Sequence, residues 1–168
     1  MKLCRCLPHF SLVIGLLTLL LASCSSEPAL NLTSSSAASV QVGQSFTITL
    51  QAENVSNLTA AEAHLSFDPA VLEVVALQPG DFLQPDFIVQ NVFDNAAGTI
   101  DYAVAQIGQP AVQGSGTLLV IEFRARAGGD SPIRFRATPA ASLGALLADS
   151  DGNAIPVVLG ELTVRTVP

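Results

Sequence analysis

The chain has 168 residues, 49% hydrophobic and 12% charged, with 14 acidic and 7 basic residues and a formal net charge of −7. All 14 acidic residues follow Cys24 but only five basic residues do, so the part after Cys24 carries a net charge of −9. Such a surface lacks the positive field that phosphate binding requires, which excludes nucleic acid as a partner. It also excludes electrostatic attraction to anionic lipid as the means of membrane binding.

The N-terminus has the features of a bacterial lipoprotein signal. Two basic residues precede an apolar stretch at 10–21, which is shorter than a transmembrane helix requires. Residues 21–24, Leu-Ala-Ser-Cys, form a lipobox, because small residues permit cleavage and the cysteine thiol accepts the lipid. We predict that residues 1–23 are removed and that lipid on Cys24 anchors an exported domain to the cell membrane or cell surface, facing outside the cytoplasm. An ordinary secretory signal with an incidental cysteine is the alternative.

Residues 24–39 are rich in serine, alanine and threonine, which predicts a flexible tether. The remainder, 40–168, has the size of one domain and shows period-two alternation of apolar and polar residues, which predicts strands that bury one face. Turn signals recur between these stretches and indicate about nine short strands in an antiparallel, all-β sandwich. The clearest helical candidate is 142–148. The alternating stretches lie at 46–51, 61–67, 119–126 and 133–136.

Several motifs in this order resemble the cohesin domain family. The strongest runs from Leu-Ser-Phe-Asp-Pro at 65–69 into Val-Leu-Glu-Val-Val at 71–75, followed by Pro-Gly-Asp-Phe at 79–82. An opening strand at 42–48 and a Gly-Ser-Gly-Thr-Leu turn at 114–118 follow the same pattern. The resemblance implies a nine-stranded jelly-roll β-sandwich, similar to the sandwiches of carbohydrate-binding modules.

The resemblance also implies where a partner would bind. Cohesins hold dockerin-bearing proteins on the outer face of one sheet, which corresponds here to the strands at 60–67, 87–92, 100–105 and 133–136. Cellulosomal cohesins carry other residue types where Ala103 and Gln106 stand. The partner-binding residues implied for this chain are Glu62, His64, Asp101, Ala103, Arg134 and Arg136, with Gln106 at a strand end.

Candidate chemistry is sparse in the sequence. His64 is the only histidine after Cys24, so a metal site of several histidines is excluded, and we predict an exposed surface histidine, with a pH-sensitive partner contact as the alternative. Residues 149–153, Asp-Ser-Asp-Gly-Asn, begin like a calcium loop but lack the distal glutamate, which favours a hairpin turn. No nucleophile elbow or distinct carboxylate pair occurs, so we predict no catalytic residue, no cofactor and no metal.

Four of the five arginines that follow Cys24 alternate outward on two predicted strands. They are typical of solvated strands that resist edge pairing, and the alternative is that Arg134 and Arg136 bond to a partner.

The leading functional hypothesis is a surface-anchored, non-catalytic module that captures a dockerin-bearing partner in extracellular polysaccharide degradation. One alternative is direct polysaccharide binding, although the chain has no Trp and a single Tyr to stack on sugar rings. The other alternative is a structural envelope lipoprotein.

Overall fold

The computed structural model describes residues 26–36 and 39–168, so the predicted signal at 1–23 and Cys24 lie outside the described residues. Within the described ranges every regular element is a β-strand, and none is a helix of the length and hydropathy needed to cross a membrane. The strands are β1 Ala29–Ser34, β2 Val40–Gln41, β3 Ser45–Ser66, β4 Leu72–Pro79, β5 Phe87–Asp94, β6 Thr99–Ala105, β7 Val112–Ala125, β8 Gly129–Phe135, β9 Ala145–Asp149, β10 Ala154–Ile155, β11 Val158–Leu159 and β12 Leu162–Val167.

The long strand β3 belongs to both layers of the sandwich. Its first half pairs with β1 and β7, and its second half pairs with β6, β8 and β9. Between the halves, Asn54 and Asn57 have positive φ values of 54° and 57°, and the register with β7 shifts at these bulges. Asparagine tolerates this left-handed conformation better than most residues, and bulges bend a strand. The asparagines therefore let one strand turn from one layer into the other.

The core lies between the two layers and is built from the inward residues of the alternating strands. Phe123 of β7 stacks on Phe46 at a centroid distance of 5.8 Å and meets the edge of Phe67 at 5.4 Å. Tyr102 of β6 is also buried, and its hydroxyl donates a hydrogen bond of 2.9 Å to the Leu118 carbonyl of β7. Burial raises the pKa of Tyr102 to about 12, so the phenol stays protonated and keeps this link between the layers.

The predicted all-β sandwich is confirmed. Nine of the twelve strands in the described part have five or more residues, and the other three are two-residue pairings. The hairpin turn predicted at 149–153 is present as well: the Asp149 carboxylate accepts the backbone N–H groups of Asp151 and Asn153 at 2.9 and 2.8 Å. These hydrogen bonds hold the pKa of Asp149 below its usual value.

Two sequence predictions are wrong. Residues 142–148 do not form a helix, because Ala145–Asp149 is strand β9, with Leu147 fully buried and paired to β3. The flexible tether predicted for 24–39 is wrong over Ala29–Ser34, which is strand β1 paired with β3. Leu30 and Leu32 are buried there, so the first strand of the domain begins eleven residues before position 40.

Candidate partner-binding face

The outer surface of one layer is formed by four adjacent strands in the order β5, β6, β3 and β9. The register places Glu62 of β3 between Ala103 of β6 and Leu146 of β9, and His64 opposite Asp101. Because the alternate residues of β3 are buried in the core, Glu62 and His64 point to the outer side. We call this surface the outer face.

The outer face agrees in part with the face implied by the sequence. The implied strands at 60–67, 87–92 and 100–105 do lie side by side. Strand β8 joins them only where Leu65 and Ser66 pair with Phe135 and Arg134. The neighbour of β3 along the rest of the face is β9, which lies in the segment that was the clearest helical candidate in the sequence.

Four side chains form a compact charged group, the His64 cluster, made of Glu62, His64, Asp101 and Arg136. The His64 Nδ1 lies 2.5 Å from Asp101 Oδ1, and its Nε2 lies 2.6 Å from Glu62 Oε1. Arg136 donates from Nη2 to the same Asp101 oxygen at 2.6 Å. The prediction of an exposed histidine is wrong, because His64 is only 6% exposed once these groups close over it.

The backbone around His64 explains how Arg136 reaches the cluster. The His64 N–H donates to the Gly144 carbonyl and the His64 carbonyl accepts from the Arg136 N–H, each at 2.8 Å. Gly144 has a φ of +84°, and a Cβ at that position would collide with the Arg136 backbone. Glycine is therefore required where the chain enters β9 beside His64.

The pKa of His64 is raised above its ordinary value. Burial alone would lower the pKa, but hydrogen bonds to Asp101 and Glu62 and the negative charges of both carboxylates outweigh that effect. The protonated histidine is thus favoured in the folded protein more than in the unfolded chain. Its contribution to the free energy of unfolding is fully present below about pH 6.5 and is lost as the pH rises through the raised pKa.

We therefore expect His64→Gln to lower the free energy of unfolding most at about pH 6 and progressively less towards about pH 9. Urea denaturation of both proteins across this range measures the difference. No other histidine occurs after Cys24, so this difference reports on one side chain. If the difference in the free energy of unfolding between the two proteins stays constant or grows with pH, the pKa of His64 is not raised in the folded protein.

Ala103 in β6 and Gln106 directly after it, two further predicted contact residues, lie in different surroundings. Ala103 lies on the outer face and is 8% exposed, since its neighbours rise above its small side chain. Gln106 is only 4% exposed, and its amide accepts from the Gln84 N–H at 3.0 Å and donates to the Pro110 carbonyl at 2.5 Å. Gln106 therefore has little surface to offer a partner, because its side chain is nearly buried and holds two loops together.

The predicted outward arginines divide between the two layers. Arg134 is exposed at the edge of the outer face, where it forms an ion pair of 3.6 Å with Glu161. Arg124 and Arg126 lie on the other layer and approach Glu73 at 3.7 and 3.9 Å. Exposed pairs of this length contribute little to stability. Of these arginines, only Arg136 joins the His64 cluster.

Beside the His64 cluster lies an apolar groove of about 170 Å³. Small side chains make its floor, and Val89 of β5 and Leu146 of β9 form its sides. Val89 is 60% exposed, at a bulge where β5 shifts register against β6. Glu62 borders both the groove and the cluster. The floor consists mainly of Ala60, Ala103, Ala105 and Ala148.

The outer face has the composition of a protein-recognition surface. It combines an exposed apolar centre with charged groups at one end, the composition that distinguishes interface centres from interface rims. Among residues 26–36 and 39–168 no cluster of three or more His, Cys, Asp or Glu side chains could hold a metal ion. The groove was missed in the sequence, although Ala103 and Ala105 alternate there with the larger Tyr102 and Val104.

An all-β sandwich is the class of domain that the structure defines. The family model of the cohesin domain matches residues 29–152, and the chain belongs to this family. Cohesin domains are non-catalytic binding modules.

Among curated proteins, the chain is similar to cellulose-binding protein A of Clostridium cellulovorans, with 26% identity over 134 residues that span 77% of this chain and 7% of that protein. Among solved structures, it is similar to a type II cohesin from the cellulosome of Acetivibrio cellulolyticus, with a TM-score of 0.70, 22% identity and coverage of 83% and 95% of the two chains. A non-cellulosomal cohesin from the archaeon Archaeoglobus fulgidus matches with a TM-score of 0.64 and 20% identity over 85% and 93% of the two chains. At these identities the structures establish the fold.

Proposed function

We propose that this domain captures a dockerin-bearing partner on the outer face. The observation that carries the proposal is the apolar groove bordered by the His64 cluster, on the outer face of a cohesin domain. A type I cohesin–dockerin complex from Clostridium thermocellum is among the similar structures, with a TM-score of 0.67, 19% identity and coverage of 84% and 100% of the two chains. An apolar side chain of the partner enters the groove, and the charged groups at its end set the orientation.

We further propose that lipid on Cys24 holds the domain at the cell surface and that the partner acts on extracellular polysaccharide. The lipobox at 21–24 supports the anchor, and the cellulose-binding relative supports the polysaccharide. In this proposal the partner contacts the sugar: the chain has no Trp, and its single tyrosine, Tyr102, is buried in the core. Phe87 and Phe93 of β5 are the exposed aromatic side chains of the described residues, so the cellulose assay below also tests stacking on them.

The capture is tested with the domain from Ser25 onwards and recombinant dockerin modules encoded by the same organism. Calorimetric titration in calcium should give a dissociation constant of about 1 μM or below for at least one dockerin, within the range of specific interfaces of standard size. A parallel sedimentation assay with insoluble cellulose tests the alternative ligand. Retention on cellulose together with no binding to any dockerin contradicts the proposal and favours direct polysaccharide binding.

The anchor is tested separately in the full chain. We expect Cys24→Ala to abolish the incorporation of labelled fatty acid and to move the protein out of the membrane fraction, because one thiol carries the whole attachment. Cys4→Ala, in the segment predicted to be cleaved, is the matched control and should leave both readouts unchanged. Fatty-acid labelling that survives in the Cys24→Ala variant contradicts the anchor.

A further inference from the structure

His64 has a carboxylate oxygen at each ring nitrogen, and this geometry favours its protonated form. An ionised carboxylate can only accept hydrogen bonds, and a neutral imidazole has only one N–H to donate. In the neutral form, one ring nitrogen would face Asp101 or Glu62 with lone pair against lone pair, at 2.5 or 2.6 Å. Only the imidazolium donates to both carboxylates, and the raised pKa of His64 agrees with this form.

The charges around His64 balance only when it is protonated. Strand β3 contributes Glu62, strand β6 contributes Asp101, and the residue after β8 is Arg136. The side towards β9 is uncharged, since residues 144–146 are Gly, Ala and Leu. The side towards β5 is also uncharged, because the β5 residue opposite Asp101 is Val92. The next charged residues outward, Arg134 and Glu161, form an ion pair with no net charge. The cluster is therefore neutral with the imidazolium and carries one net negative charge without its proton.

This balance matters because the cluster borders the apolar groove. A partner that covers the groove also removes water from Glu62, which contacts both. Burying a carboxylate that has lost its partner is costly, whereas burying a fully hydrogen-bonded, neutral cluster is much less so. The protonated face thus fits a partner surface that is apolar and uncharged, and it needs no cation from that partner.

We propose, building on the capture of a dockerin described above, that the proton on His64 closes the charged cluster for docking. With the proton, the outer face accepts an apolar, uncharged partner surface. Without it, one carboxylate beside the groove loses its hydrogen bond and faces the incoming partner. Docking is therefore tighter at acidic than at alkaline pH, and the partner's contact surface is apolar rather than basic.

The experiment compares the affinity of the captured dockerin module at about pH 6 and about pH 9, on either side of the histidine range. The wild-type domain should bind at least about tenfold more weakly at the higher pH, the equivalent of a one-unit difference in the His64 pKa between bound and free forms. The affinity of His64→Gln should change with pH only through the ionisable groups of the dockerin, because the same dockerin is titrated into both domains. Glu62→Gln should behave similarly, since neutral His64 can then satisfy Asp101 alone.

The outcomes separate this proposal from the capture on which it rests. If the dockerin binds the wild-type domain equally tightly or more tightly at the higher pH, the closure is overturned and the capture stands. If no dockerin binds, the capture fails and the closure is judged in the isolated domain by NMR titration of the imidazole. A titration midpoint above the ordinary value that falls in Glu62→Gln supports the closure, and a midpoint at or below the ordinary value overturns it.

Discussion

Replacing Ala103 by arginine should lower the affinity for the dockerin partner at least about a hundredfold, which corresponds to about 2.7 kcal/mol. Ala103 forms part of the groove floor, opposite Glu62 of β3. An arginine there fills the space that the partner's apolar side chain would occupy and places a charge at the centre of the interface. Losses of this size are typical when the centre of an interface is disrupted. Calorimetric titration measures the change.

The fold itself should tolerate this substitution. Ala103 points away from the core, so the arginine side chain can extend into solvent in the free domain, and the free energy of unfolding should change by less than about 1 kcal/mol. Thr49→Arg is the matched control, because Thr49 lies on the strand between β1 and β7 in the opposite layer. It should bind the dockerin as the wild type does. If Ala103→Arg also binds normally, the partner docks on a surface other than the outer face.

The sequence predicted the layers of this fold well, because alternation is a local signal. Phe46, Ile48 and Leu50 are inward in the structure, as their period of two requires. The outer side of the second half of β3 was also correctly identified. What failed was the segment 142–148, the helical candidate, most of which belongs to strand β9. Pairing with β3 decides that segment, and this pairing is a long-range contact that local propensity cannot report.

The candidate site was harder to predict than the fold. The spacing of Glu62 and His64 places both side chains on one face, which the sequence does show. The burial of His64 depends on Asp101 from a strand 37 residues away and on Arg136 from a third segment. The burial of Gln106 could not be predicted either, because alternation is no guide at a strand end, where the chain turns and the amide bonds to loops.

The second prediction concerns strand β1. A flexible tether and a paired strand at this position predict different losses of stability when a leucine is truncated. Leu30 is fully buried, pairs with Ala52 of β3 and with Leu159 of β11, and its backbone carbonyl accepts the Gly160 N–H at 2.9 Å. We expect Leu30→Ala to lower the free energy of unfolding by about 2–5 kcal/mol, the usual cost of removing a buried leucine side chain.

Thr33→Ala is the control for Leu30→Ala, because Thr33 is exposed on the same strand, and it should change the free energy of unfolding by less than about 0.5 kcal/mol. Urea denaturation of the three proteins decides the matter, since a leucine in a flexible tether would cost nothing when truncated. Equal stability of Leu30→Ala and the wild type would place β1 outside the cooperative unit. A loss only in Leu30→Ala means that the folded domain begins at or before Ala29, so that lipid on Cys24 would hold the sandwich within a few residues of the membrane surface.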